Sequence, residues 1–286
     1  MMYRLFFNCL ALLGLSACAL GGDGGTAVSR VLGSTSGGNG AMLPLVVDRD
    51  DDEDAYFPCT DEANDCTLRA AIQLANEHKV GAAIRFAQHY RIDLTQPLPA
   101  LLAENTSIVA EAGQVVQVNG ANLAADVLVI RGSYARIEGL HVYGAGSGFA
   151  NVAITDHAHD VVIARNVIGD DDAPSGNCEN GRVAANGIVV DAQSSDAAVT
   201  RAWIYENVIE CHNQNGILLR TGNVVIGRDQ NATPNGNFIQ HNWVYGVDLG
   251  AQTGNVVCHN VMEQNGVEGF GNVVFNDNSI MENVVR

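Results

Sequence analysis

The chain has 286 residues, 31 of them Gly and 27 Asn against 6 Pro, and a formal net charge of −17 from 15 Lys+Arg and 32 Asp+Glu. With 47% hydrophobic and 16% charged residues it has the apolar material for a core, which excludes a disordered chain. Lys79 is the single lysine and no basic cluster occurs, which excludes nucleic acid as a main partner. Gly and Asn tolerate left-handed backbone, so their abundance predicts tight bends between short apolar segments rather than long helices.

Residues 1–17 read as a targeting segment: Arg4, an apolar stretch through Leu15, and the small residues Ser16 and Ala17 before Cys18. Leu15-Ser-Ala-Cys18 resembles a bacterial lipoprotein signal, which implies that Cys18 is acylated and anchors the protein to a membrane. Ala19 stands where that class carries aspartate for inner-membrane retention, so the resemblance points to the outer membrane or cell surface; an ordinary secretory signal with a periplasmic or secreted product is the alternative. Residues 18–44, rich in Gly and Ser, read as a flexible tether. Export permits disulfides. Cys59 and Cys66 flank a short acidic loop and form the expected pair, Cys178 and Cys211 are spaced to bridge neighbouring repeats, and Cys258 reads as a buried thiol.

Residues 45–80 form the next region, an N-terminal cap segment. Its acidic run Asp48–Asp54 lacks the glycine and spaced glutamate of an EF-hand and reads as a solvated turn. Leu68, Ala71, Ile72 and Ala75 then recur at helical spacing, which predicts a helix over 67–78 with Thr67 as N-cap.

From residue 81 onward the period changes to short strands. Five segments share the pattern apolar-x-x-Asn-x-apolar, with Asn166, Asn207, Asn242, Asn260 and Asn283 at spacings of 41, 35, 18 and 23. Ile137 to Tyr143 fits the same slot, with His141 replacing Asn. A second column starts at Gly187, Gly216 and Gly246. Such units cannot bury an apolar face singly, but stacked coils share one core. Identical asparagines at inward bends then lie about 4.8 Å apart and can bond along the stack. Spacings of 18 and 23 are too short for propeller blades.

The repeat resembles right-handed parallel β-helix proteins of the pectate-lyase-like superfamily, and Cys66-Thr-Leu-Arg-Ala-Ala-Ile72 is similar to the Cys-Ser-Leu-Arg-Glu-Ala segment of exported bacterial members, with Ala70 in place of the glutamate. The resemblance implies an all-β parallel β-helix over 81–286, covered at its N-terminal end by the short α-helix. No cap is visible at the other end, which raises self-association through an open C-terminal edge.

Strand alternation turns Ile188, Val190, Ile217, Leu219, Val247 and Leu249 inward, and therefore Asp191, Arg220 and Asp248 outward on one sheet. Superfamily lyases hold Ca²⁺ with carboxylates on such a face and take a proton with arginine or lysine, so the resemblance makes these three candidate catalytic residues and Asp191 and Asp248 candidate Ca²⁺ ligands. The bland reading is a solvated charge ladder. His157 and His159 share one side of an extended segment and are candidate Zn²⁺ ligands, although a third ligand is not evident. Trp203 and Trp243 flank the asparagine column as candidate sugar-stacking platforms. Removing residues 1–17 takes away Arg4 and no acid, so −17 becomes −18 and a polyanionic substrate is repelled unless Ca²⁺ bridges it. The expectation is an exported surface scaffold or glycan-binding module without catalysis; the alternative is a polysaccharide lyase or hydrolase.

Overall fold

The computed structural model describes residues 42–53, 59–60, 62–78, 81–171, 174, 178, 183–192, 200–266, 268–271 and 278–285. The expected signal segment, Cys18 and the tether to residue 41 lie outside the described residues. Three sheets run the length of the molecule. The first has nine strands, from Leu43–Val47 to Ser279–Met281; the second has eight, from Tyr90–Asp93 to Val284–Val285; the third has six, from Leu128–Ile130 to Glu268–Gly271. The chain visits the sheets in turn, and each strand pairs in parallel with its counterpart one coil away, giving the parallel β-solenoid that the repeat predicts. Ordered pairing begins at Leu43, against Ala82, two residues inside the segment read as tether.

Strand register builds the core. Ile84, Ile108, Ile137, Ile163, Ile204 and Ile226 occupy one register position on successive coils of the first sheet, and each is at most 1% exposed. Each such side chain contributes about 1.5–3 kcal/mol of apolar burial, and β-branching suits the short pleated segments.

At the bend between the first and second sheets, Asn166, Asn207, Asn237, Asn260 and Asn283 form a continuous ladder in which each carboxamide Nδ2 donates to the next Oδ1 at 2.8–3.1 Å. The same oxygen accepts the backbone N–H of the preceding asparagine at 3.0 Å on every rung. The ladder therefore takes Asn237 where the sequence pattern predicts Asn242, and its true spacings are 41, 30, 23 and 23. Asn242 belongs to a second ladder at the next bend, where it accepts from His212 Nδ1 at 2.8 Å and donates to Asn265 Oδ1 at 2.9 Å. The confusion has a physical origin. Both bends place a left-handed residue before the asparagine, Arg165, Glu206, His259 and Glu282 at one and His241 and Gln264 at the other, with φ of 54–60°. His141 is in neither ladder; Leu140 occupies the bend, its N–H donating to Asn166 Oδ1, and His141 faces outward from the second sheet.

The helix spans Leu68–His78, and Thr67 Oγ1 accepts from Ala70 N, the N-cap that the sequence predicts. Ala71, Ile72 and Ala75 join the core cluster next to the first strands and cover this end. The acidic run does not form a solvated turn. Asp52 is 4% exposed, and its carboxylate accepts from Arg69 Nε at 2.9 Å, Arg69 Nη2 at 2.8 Å and Thr95 N at 2.8 Å. Arg69 also donates to the carbonyls of Gln96 and Pro97, so the pair clamps helix, acidic run and first coil together. The disulfide Cys59–Cys66 closes the loop between the run and the helix. At the other end Val284 and Val285 are exposed on the last strand of the second sheet.

Asn237→Ala is expected to cost about 1–3 kcal/mol, because the buried Asn207 N–H loses its acceptor, whereas Asn231→Ala on an exposed loop changes stability by less than about 0.5 kcal/mol; urea unfolding checks both. Asp52→Ala leaves the Arg69 guanidinium buried without its carboxylate and is expected to cost about 3–5 kcal/mol, read in the same titration.

Candidate functional site

The third sheet carries the predicted residues. Ile188, Val190, Ile217, Leu219, Val247 and Leu249 are all fully buried, so the alternation read from the sequence turns their neighbours outward as expected. Two outward rows result. One runs Val129, Ala153, Val189, Leu218 and Asp248, in register across five coils. The other carries Thr155 opposite Asp191, with Arg131 and Arg220 continuing it on either side; Arg220 N donates to Val190 O at 2.8 Å, which sets the Arg220 coil against Asp191.

Arg220 Nη1 stands 3.5 Å from Asp191 Oδ2, with side chains 58% and 32% exposed. A pair this long and solvated contributes about 0–1 kcal/mol and leaves both groups hydrated. Asp248 is not in their row. It is paired with Leu218, and its Oδ1 accepts from Gly250 N at 2.9 Å, which commits it to its own turn. Asp191 and Asp248 therefore do not converge, and Ca²⁺, which takes six to eight oxygens, finds no matching donor set in these two residues. Two members of the polar row were not legible as site residues. Arg131 pairs with Asp156 at 3.1 Å, and Thr155 has a buried hydroxyl with no hydrogen-bond partner.

His157 and His159 lie in the turn after the strand Ala150–Asp156. His159 Nδ1 is 2.9 Å from Asp160 Oδ2 and its ring meets Tyr134 edge-on at 5.1 Å. Among the described residues the one group of three potential ligands within metal-binding reach is Asp170, Cys178 and Cys211, and its two cysteines are bonded to each other. The tryptophans do not share a face. Trp203 packs outside the first sheet with Val162, Ala164 and Tyr205, whereas Trp243 is 62% exposed at the bend after the strand Phe238–Gln240.

A second polar cluster, absent from the sequence reading, sits outside the second sheet. Arg91, Gln117 and His141 share one register row, and Asp93, Asn119 and Tyr143 share the next. Asn119 Nδ2 donates to Asp93 Oδ1 at 2.7 Å, Arg91 bridges Asp93 and Asp171 at 3.2 and 3.4 Å, and His141 stands between Gln117 Nε2 and the Asp170 carbonyl at 3.3 and 2.8 Å. That carbonyl can only accept, so Nε2 of His141 carries the proton and Nδ1 accepts from the glutamine. Burial lowers the proton affinity of His141 from the ordinary 6.5, with the Asp170 carbonyl opposing, and the ring is neutral at pH 7. Burial, and then a side-chain hydrogen bond with the Asp171 carboxylate, push the Tyr143 phenol well above its ordinary value of 10, so it stays protonated.

Cys178–Cys211 links neighbouring coils, as the repeat spacing predicts, and Cys258 is a buried free thiol. Two disulfides fit a chain that folds in an oxidising extracellular or periplasmic compartment, and no helix among the described residues is long and apolar enough to cross a membrane. The chain matches no family model and no curated protein, so its residues alone define what the site can do.

Because His141 binds its proton less tightly when folded than when unfolded, the unfolded chain takes up more protons below pH 6.5 and the contribution of this residue to stability is lost as pH falls through that value. His141→Gln is expected to flatten that part of the stability–pH curve relative to wild type, measured by urea unfolding between pH 5 and pH 8 in steps.

Proposed function

We propose that this chain is an exported surface protein, tethered through a lipid on Cys18, whose β-helix binds a cell-surface glycan without turning it over. The observation that supports binding is the pair of rows outside the third sheet. Val129 and Leu218 are half-buried there while Ala153 and Val189 between them are buried, so the groups open to a ligand are chiefly Arg131, Asp191 and Arg220 of the polar row, which hold both donors and acceptors. A sugar ring matches them with its belt of hydroxyls. Four rungs at about 4.8 Å each span roughly 14 Å on a rigid platform, long enough for several sugar units. Trp243, exposed on its bend, extends the surface available for stacking.

The absence of turnover rests on Arg220. A proton-abstracting arginine requires desolvation or cationic neighbours to lower its proton affinity, and Arg220 is more than half exposed beside a carboxylate. A net charge of −17 favours a neutral glycan over a uronate polymer. The exposed Val284 and Val285 form the surface through which this reading expects self-association.

Calorimetric titration with neutral and uronate oligosaccharides, with and without Ca²⁺, tests the reading. A neutral glycan is expected to bind, and the double change Asp191→Ala/Arg220→Ala to weaken it at least about tenfold, the loss of one or two charge-assisted hydrogen bonds. Release of unsaturated ends or reducing ends that disappears in Arg220→Ala would make the protein an enzyme and sink the noncatalytic reading.

A further inference from the structure

We infer that Asn231 is an acceptor for an N-linked glycan, carried on the loop between the strands Val224–Ile226 and Phe238–Gln240. The inference rests on the export part of the proposed function and not on its glycan-binding part.

The sequence contains two segments of the form Asn-x-Ser/Thr without a middle proline, Asn105-Thr-Ser107 and Asn231-Ala-Thr233. That pattern marks an acceptor where the chain is exported and the segment lies on a surface loop, and the fold separates the two. Asn105 is exposed, but its segment is built into the stack. Thr106 is fully buried and its Oγ1 accepts from Ala82 N at 3.3 Å, Asn105 N donates to Ser133 O at 2.9 Å, and Ser107 opens a strand paired with Ala83 on one side and Arg136 on the other. Drawing this asparagine into an enzyme would break pairing with both adjacent coils.

Asn231-Ala-Thr233 is the reverse case. Residues 230–234 are all exposed, on a loop that leaves the solenoid at the bend between the first and second sheets. The loop makes its own shape: Asp229 Oδ1 accepts from Asn231 N at 2.9 Å and from Thr233 N at 2.8 Å, Ala232 N donates to Asp229 O at 3.1 Å, and Asp229 N donates to Thr233 O at 3.1 Å. None of these four bonds belongs to a sheet, so the tip can straighten into a transferase groove while the stack stays whole. Two local features favour that change. Ala232 sits at φ 60°, where its Cβ is disfavoured, and Pro234 biases Thr233 toward extended backbone. The tip then presents a carboxylate, a carboxamide and a hydroxyl at positions 229, 231 and 233.

The donor is a polyprenyl-linked oligosaccharyl diphosphate, used by an oligosaccharyltransferase in the membrane that an exported chain crosses. Asn231 Nδ2 bonds to C1 of the first sugar, the C1–O bond breaks with its electron pair leaving on the polyprenyl diphosphate, and the proton lost by the carboxamide goes to a base of the transferase. A glycan at this bend projects away from the third sheet and leaves the Asp191 and Arg220 row uncovered.

The test is the intact mass of the whole chain isolated from the cells that produce it, with proteolytic mapping of the peptides that hold residues 105 and 231. The inference expects a glycan mass on the Asn231 peptide that is lost in Asn231→Gln and in Thr233→Ala and retained in Thr233→Ser and in Asn105→Gln. An unmodified Asn231 in chain that has shed residues 1–17 would overturn the inference and leave export standing, as would a glycan on Asn105 in its place. Chain kept inside the cell with residues 1–17 attached would overturn both.

Discussion

Parallel stacking of coils forces like onto like, and the inward bends are where that constraint is most demanding. A polar side chain there has no water, so its partner must be the same side chain one coil away. Asparagine meets the requirement because one end of its amide donates and the other accepts, and the ladder from Asn166 to Asn283 uses both ends on each internal rung. The backbone N–H beside each carboxamide is answered by the same oxygen, so one residue type satisfies the bend and fixes the coil register together. His212 shows the limit of the rule. It joins the second ladder because an imidazole also offers one donor and one acceptor, with Nδ1 toward Asn242 and Nε2 toward Asn151.

The architecture was legible in the sequence because its cause is local and repeated: an isoleucine, two residues, an asparagine. What misled was the sameness of the two bends. Ile239 to Val244 carries the same local pattern as the true members, yet its strand pairs with Ile209 and Met262 in the second sheet. Only the length of the coil between bends separates the two, and coil length is what insertions change. His141 has the same explanation, since a glycine at φ 75° and Leu140 already make its bend. The Asp52–Arg69 clamp was hidden for the opposite reason. It depends on one aspartate in a run of near-identical acids being chosen by a guanidinium 17 residues away, and no period announces that choice.

For the surface, parity alone placed Asp191, Arg220 and Asp248 outward, and that much follows from alternation. Parity does not say which coil stands opposite which, and a shift of two residues moves Asp248 beside Leu218 and out of the Arg220 row. The cluster around Tyr143 was less accessible still. Its members come from three coils and from the bend at Asp170 and Asp171, each an ordinary residue in its own segment, and only the register of the second sheet gathers them.

A solenoid of this kind separates stability from chemistry more sharply than most folds. Inward positions and bends are fixed by stacking, while outward positions are bound less tightly, through contacts along their rows, to adjacent rows and to bends, as Arg91 is to Asp93 and Asp171. The charge distribution then limits what those outward rows can recognise. Eight described arginines, Arg49, Arg69, Arg85, Arg91, Arg131, Arg136, Arg165 and Arg220, each stand within ion-pair distance of a carboxylate of this chain. In a molecule with 32 acidic residues against 15 basic ones, that pairing leaves little positive potential with which to attract a polyanion. On the proposed glycan-binding reading hydroxyl groups face no such barrier, because a paired arginine and aspartate still offer a spare donor and a spare acceptor side by side, and such pairs on an outward face would suit an uncharged polymer better than a charged one.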